Sequence, residues 1–123
     1  METDNTNPNP EMGIGNVRPE QNFGIGKTLY NSAMGKLIEA NSIKASDKTE
    51  LYSRLNEESN SIFRQSIPYL ENAVKYYDSL KEPEKKANSI KLYQSLNALS
   101  TVYIRLGMYE ELKPIKTRID EYL

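Results

Sequence analysis

From residue 22 onward apolar side chains recur every three or four positions, a spacing that lines one face of a 3.6-residue turn and predicts helix throughout. A first helix is expected over 22–45, with Ile25, Leu29, Ala33, Leu37, Ile38 and Ala40 inward and Gly35 permitting close approach of a neighbour. Ser46, Asp47 and Lys48 interrupt the pattern, and Asp47 with Glu50 has the spacing of a capping box. The second helix, 48–80, carries Leu51, Leu55, Ile62, Phe63, Ser66, Leu70, Ala73, Val74 and Tyr77 as its stripe, with a kink expected at Pro68. Lys81, Glu82 and Pro83 end it. Pro83 suits the first turn of a third helix, where its missing N–H has no partner to lose. Ala87, Ile90, Tyr93, Leu96, Leu99, Val102, Tyr103 and Leu106 form the third face, and Gly107 stands where a left-handed cap belongs. A last helix, 109–122, turns Leu112, Ile115 and Ile119 inward. Short connections make consecutive helices antiparallel neighbours, so the fold class is all-α, built of helical hairpins.

The first 21 residues break this texture. They are rich in Asn and Pro and offer little to bury, so 1–21 reads as a polar tail or linker and 22–123 as the helical domain. Such a start also reads as the boundary of a longer chain.

Composition narrows the chemistry. Sixteen basic and seventeen acidic residues leave a net charge of −1, which gives no field to gather nucleic acid or an anionic membrane. The absence of Cys and His removes thiol nucleophiles, disulfides, imidazole bases and most transition-metal sites, leaving carboxylates, Lys, Tyr, Ser and Thr. No apolar run approaches the ~18 residues of a membrane span. Residues 24–28, GIGKT, resemble the end of a phosphate loop, yet that motif needs glycine at position 21, which is Gln21. A dinucleotide fingerprint needs glycine or alanine at position 29, which is Leu29. The carboxylate pairs Glu57-Glu58, Glu110-Glu111 and Asp120-Glu121 alternate with Lys and Arg on faces expected in solvent. They read as solvated surface, and the chain is expected to be non-catalytic, with no cofactor and no metal.

Two stretches echo each other. Leu96, Leu99, Ser100, Tyr103 and Gly107, continued by Tyr109, Leu112, Lys116 and Ile119, resemble the tetratricopeptide repeat pattern. Asn22, Ile25, Gly26 and Leu29, with Ser66, Leu70 and Ala73, fall on the corresponding positions of an earlier unit, and Pro68 and Pro114 each lie two residues beyond Ser66 and Leu112. Gly26 is then the small residue where two helices approach. Gly26 to Ser66 spans 40 residues and Ser100 to Leu112 spans 12, so the first unit carries 40 − 12 = 28 more. About four extra turns in each of its helices would absorb them, making the first hairpin taller. Together with IPYLENA at 67–73, this looks like the long-helix variant in the C-terminal part of bacterial tetratricopeptide repeat proteins.

The resemblance implies about two repeats of an α-α superhelix whose inner surface, formed by the first helix of each unit, binds a peptide or protein segment. By position that surface carries Lys27, Tyr30 and Asn31 from the first helix and Gln94, Asn97, Thr101 and Arg105 from the third, with Asn97 and Arg105 best suited to a peptide backbone and a carboxylate. Two units are fewer than such arrays need for stability, so a homodimer or a terminal cap of a longer array is the structural alternative. Expected partners are a protein or peptide, with a homodimer as the second reading and neither nucleic acid nor membrane insertion. Relatives of this type are often exported, which implies the cell envelope or periplasm for a fragment of an exported protein and the cytoplasm otherwise. Of the nine tyrosines, most are expected at helix interfaces, Tyr93 and Tyr103 in the core, with the Tyr76-Tyr77 pair turning one ring outward.

Overall fold

A computed structural model describes residues 17–43 and 50–122, and everything described is helix or short connection. A 3-10 turn, Pro19–Gln21, leads into α1 (Asn22–Asn41); α2 (Glu50–Ser79), a single turn α3 (Glu84–Ala87), α4 (Ser89–Leu106) and α5 (Tyr109–Asp120) follow. The fold is all-α, two antiparallel hairpins, α1 with α2 and α4 with α5, in which α4 also packs against α1 and α2. Residues 1–16 of the expected tail and the Asp47 half of the capping box lie outside the described residues.

Small side chains at seven-residue intervals set the first hairpin. Gly26, Ala33 and Ala40 on α1 are buried, as are Ser59, Ser66 and Ala73 on α2. A repeat of seven keeps one narrow stripe against a partner helix, and small residues there let the two backbones come close. At Gly26 the approach is tightest: a Cβ there would lie 2.9 Å from the Leu70 side chain and 3.2 Å from the Leu70 backbone nitrogen. The Ser59 hydroxyl adds a bond across the seam, donating to the Ala33 carbonyl at 2.9 Å.

The expected insertion is present but unequally shared. From Gly26, α1 runs on to Asn41, whereas from Ser100, α4 stops at Leu106; α2 begins sixteen residues before Ser66, and α5 three before Leu112. The first hairpin is the taller, with more of the excess in α2 than in α1 and the rest in the connection. α2 continues through Pro68 as one helix.

The third helix is corrected in two ways. It is divided at Asn88 (φ −109°, ψ 14°), whose side chain donates to the Glu84 carbonyl at 2.8 Å and so competes with the helical ladder. Its packed face is Leu92, Ser95, Leu96, Leu99, Val102 and Tyr103; Ala87 is exposed and Ile90 is 70% exposed, nearly opposite that face at 100° per residue. Ile38, expected inward on α1, is likewise 63% exposed. Gly107 adopts φ 71°, and the Met108 and Gly107 amides donate to the Tyr103 and Ile104 carbonyls, closing α4 as expected. Leu112, Ile115 and Ile119 of α5 pack on the core, and Arg118 forks onto both oxygens of Asp78 at 2.9 and 3.0 Å.

Tyr69, Tyr77 and Tyr103 are buried, Tyr93 is half-buried against Tyr122, and Tyr76 is the outward ring of its pair. Burial raises the phenol pKa of all three buried tyrosines, and for Tyr103 its hydrogen bond to Glu71 raises it further. Each folded value exceeds the ordinary 10.0, so the stability carried by the neutral phenols is complete below about pH 10 and is lost as pH rises through the folded values. Each tyrosine sets a limiting slope of about 1.4 kcal/mol per pH unit. Denaturant titrations are expected to show this loss beginning near pH 10, shallower in Tyr103→Phe; an unchanged slope in that variant would contradict the assignment to Tyr103.

Candidate functional site

α1 and α4 lie side by side, and the trough between their outer faces is an open groove of about 470 Å³. Its floor is apolar. Phe23 and Tyr30 from α1, Leu70 from α2 and Ala98 from α4 line it. Along the walls stand Lys27 and Asn31 on one side and Gln94, Asn97, Ser100 and Thr101 on the other.

The floor rings are held from behind. Tyr30 meets the wholly buried Phe63 edge to face at 5.8 Å, and Phe23 meets Tyr77 in the same manner at 6.1 Å. α2 therefore sets the orientation of two aromatic surfaces that belong to α1. Leu70 reaches the floor because Gly26 has no side chain to displace it.

The groove is cationic at one end. The Lys27 ammonium lies 5.5 Å and the Lys91 ammonium 5.9 Å from the centre of the Phe23 ring, two cation–π contacts of about 0.5–1 kcal/mol each at exposed positions. No carboxylate lines the groove among the described residues. The remaining walls present amides and hydroxyls, which can both donate and accept.

Six of the seven residues expected on the binding surface, Lys27, Tyr30, Asn31, Gln94, Asn97 and Thr101, are brought together here. Arg105 is not. Its Nη2 donates to Asn56 Oδ1 at 2.7 Å and its Nε to Asn60 Oδ1 at 3.1 Å, so the guanidinium bridges α4 to α2 away from the groove. The long side chain is captured by amides whose height on α2 depends on the insertion in the first hairpin. Phe23 and Ser100 were missed, although Phe23, three residues before Gly26 and four before Lys27, carried a helical-spacing clue.

Ile90 and Ile104 stand on the same stripe of α4 as Asn97 and Thr101, at its two ends, and are 70% and 53% exposed. On α1, Ile38 follows Lys27 and Asn31 at helical spacing. The groove face is thus polar in the middle and flanked by exposed aliphatic residues. Among the described residues no cluster of His, Cys, Asp or Glu could hold a metal ion, and no helix is long and apolar enough to cross a membrane. Comparison with protein-family models, curated proteins and solved structures gave no match.

Proposed function

We propose that the chain is a non-catalytic protein-interaction module that holds an extended peptide or protein segment in the groove between α1 and α4. The carrying observation is the groove itself: amide and hydroxyl side chains from two helices stand over an aromatic and aliphatic floor. An extended backbone has N–H and C=O groups that such amides can meet, while its side chains pack on the rings. The packing of α4 against both helices of the first hairpin, and the close crossing at Gly26, support the tetratricopeptide-like reading of the two units. The exposed Ile90, Ile104 and Tyr109 favour a second reading, pairing with a copy of the chain or capping of a longer array.

The test is capture of a partner from lysate by the full chain, beside an Asn97→Ala/Gln94→Ala double variant and an Arg105→Ala control. The groove reading expects capture to fall about tenfold or more in the double variant, two lost hydrogen bonds at ~1 kcal/mol each, and to persist in the control. Equal capture by all three, or no capture with a dimeric mass in light scattering, would transfer the assignment to the structural reading.

A further inference from the structure

We infer that this face is closed by a second copy of the chain: the exposed edge of α4 pairs with the same edge of the second copy, antiparallel, about a two-fold axis beside Asn97. This rests on the second reading above, pairing with a copy, and specifies its surface, direction and register.

The edge has the spacing of a helix seam. Ile90, Gln94, Asn97, Thr101 and Ile104 follow one another by 4, 3, 4 and 3 residues, the heptad spacing that keeps one narrow stripe against a partner helix. That stripe is turned away from the packed face of α4, and both of its end residues are exposed. Ile90 and Ile104 each stand seven residues from Asn97, so the order aliphatic, amide, aliphatic reads the same in both directions. A two-fold contact demands this self-complementarity, because the same patch must meet itself. With the axis at Asn97, the two Asn97 amides face each other and can exchange N–H···O bonds, while Ile90 of each copy meets Ile104 of the other. An amide at one seam position fixes register at some cost in affinity.

The neighbouring helix fits the same arrangement. Lys91 lies over Phe23 and Val102 packs with Ala33, so α1 and α4 run parallel, side by side. An antiparallel α4 from the second copy, seated in the trough, brings its Ile104 to the level of Phe23 and its Ile90 within a turn of the exposed Ile38. Charge selects the direction. Parallel pairing would gather Lys27 and Lys91 of both copies at one end, with no carboxylate among the described groove residues to offset them. Antiparallel pairing sets the two Lys91 about 18 Å apart along the helices, twice the ~8 Å over which physiological salt screens charge. The area suffices. The 18 residues of α4 are ~27 Å long and, beside α1, present a face ~20 Å wide. Its flat projection of ~540 Å² is enlarged by side-chain relief toward the ~800 Å² that each partner buries in a stable interface.

The chain has no cysteine, so single thiols report contact between copies without background. Under a glutathione redox buffer, full-length Asn97→Cys is expected to form an interchain disulfide at least tenfold faster than Lys113→Cys, whose thiol stands on an exposed position of α5. Ile90→Cys and Ile104→Cys are expected to cross-link when the two proteins are mixed and not when either is alone. Self-linking of each alone would mean parallel copies and overturn the direction; equal rates at 97 and 113 would overturn the interface. Light scattering gives an independent readout: the mass of the unmodified chain should approach that of a dimer as concentration rises. Ile104→Asp, a change at an exposed position whose fold circular dichroism can check, should weaken association at least tenfold. A dimer insensitive to Ile104→Asp would keep self-pairing but overturn this surface, and a single-chain mass at every concentration would overturn self-pairing altogether. If the chain stays monomeric while Asn97→Ala/Gln94→Ala still loses partner capture, the second copy falls and the extended-segment reading stands. A dimer cross-linked at position 97 that captures nothing leaves the second copy in place and removes the external segment.

Discussion

Gly26→Ala is expected to lower the unfolding midpoint and Gly35→Ala to raise it, although both replace a glycine inside the same helix by the best helix former. Alanine gains about 1 kcal/mol over glycine in a helix interior. At Gly35 nothing lies within 4 Å of the new methyl group, so that gain is kept and the melting temperature rises by about 4–8 °C. At Gly26 the methyl group would sit 2.9 Å from the Leu70 side chain, itself wholly buried, and 3.2 Å from its backbone nitrogen. A side-chain tip can rotate, but the backbone nitrogen moves only if α1 and α2 separate along a seam of small residues. Overpacking of this kind costs about 1–3 kcal/mol, more than the propensity gain through most of that range. Gly26→Val, with two further carbons and a poorer helix propensity, is expected to lose more than ~3 kcal/mol and to displace Leu70 from the groove floor. Thermal melts of the three variants decide the matter. A stabilised Gly26→Ala would mean that the hairpin yields where it is drawn tightest.

The same pair shows how far the sequence could be read. Gly26 and Gly35 both interrupt an amphipathic helix, and both were expected to serve close packing. Only Gly26 does, because its register against α2 places Leu70 opposite, and register depends on the length of the connection and of α2. The hairpins, the Gly107 cap and the burial of Tyr103 follow from local periodicity, which fixes the face a side chain occupies; the six residues that meet in the groove were placed by position in the repeat resemblance, and Tyr93, expected in the core, is half-buried. Periodicity does not say how helices are turned about their axes in three dimensions. Ile90 keeps a three-residue step with Tyr93 and Leu96, yet each such step drifts about 60° around a helix, so Ile90 lies nearly opposite the packed face of α4. Arg105 follows Thr101 by one turn, yet Asn56 and Asn60 draw it to α2. Ser59, absent from the expected face of the second helix, looks polar in isolation, and only the matching Gly26-Ala33-Ala40 stripe of α1 shows it to belong to an interface.

Phe63 joins stability to the groove, and its replacement is expected to have the largest single effect. The ring is wholly buried between Ala33 of α1 and Val102 of α4, so it ties the second helix to both helices that build the site. Phe63→Ala removes that contact and leaves a cavity, a loss of about 3–5 kcal/mol from a domain whose total stability is typically about 5–15 kcal/mol. Loss of fold alone would abolish binding without saying anything about the site, so Phe63→Leu is the informative companion. Leucine keeps most of the apolar volume, at a cost of about 1–1.5 kcal/mol, but removes the edge-to-face support of Tyr30. If the floor of the groove depends on that ring being held, a folded Phe63→Leu protein loses affinity for a groove ligand severalfold, although position 63 does not line the groove. Circular dichroism establishes the fold, and titration of the captured partner reads the site. Full affinity in a folded Phe63→Leu variant would show that Tyr30 holds its place through α1 alone, and that α2 contributes to the groove only through Leu70.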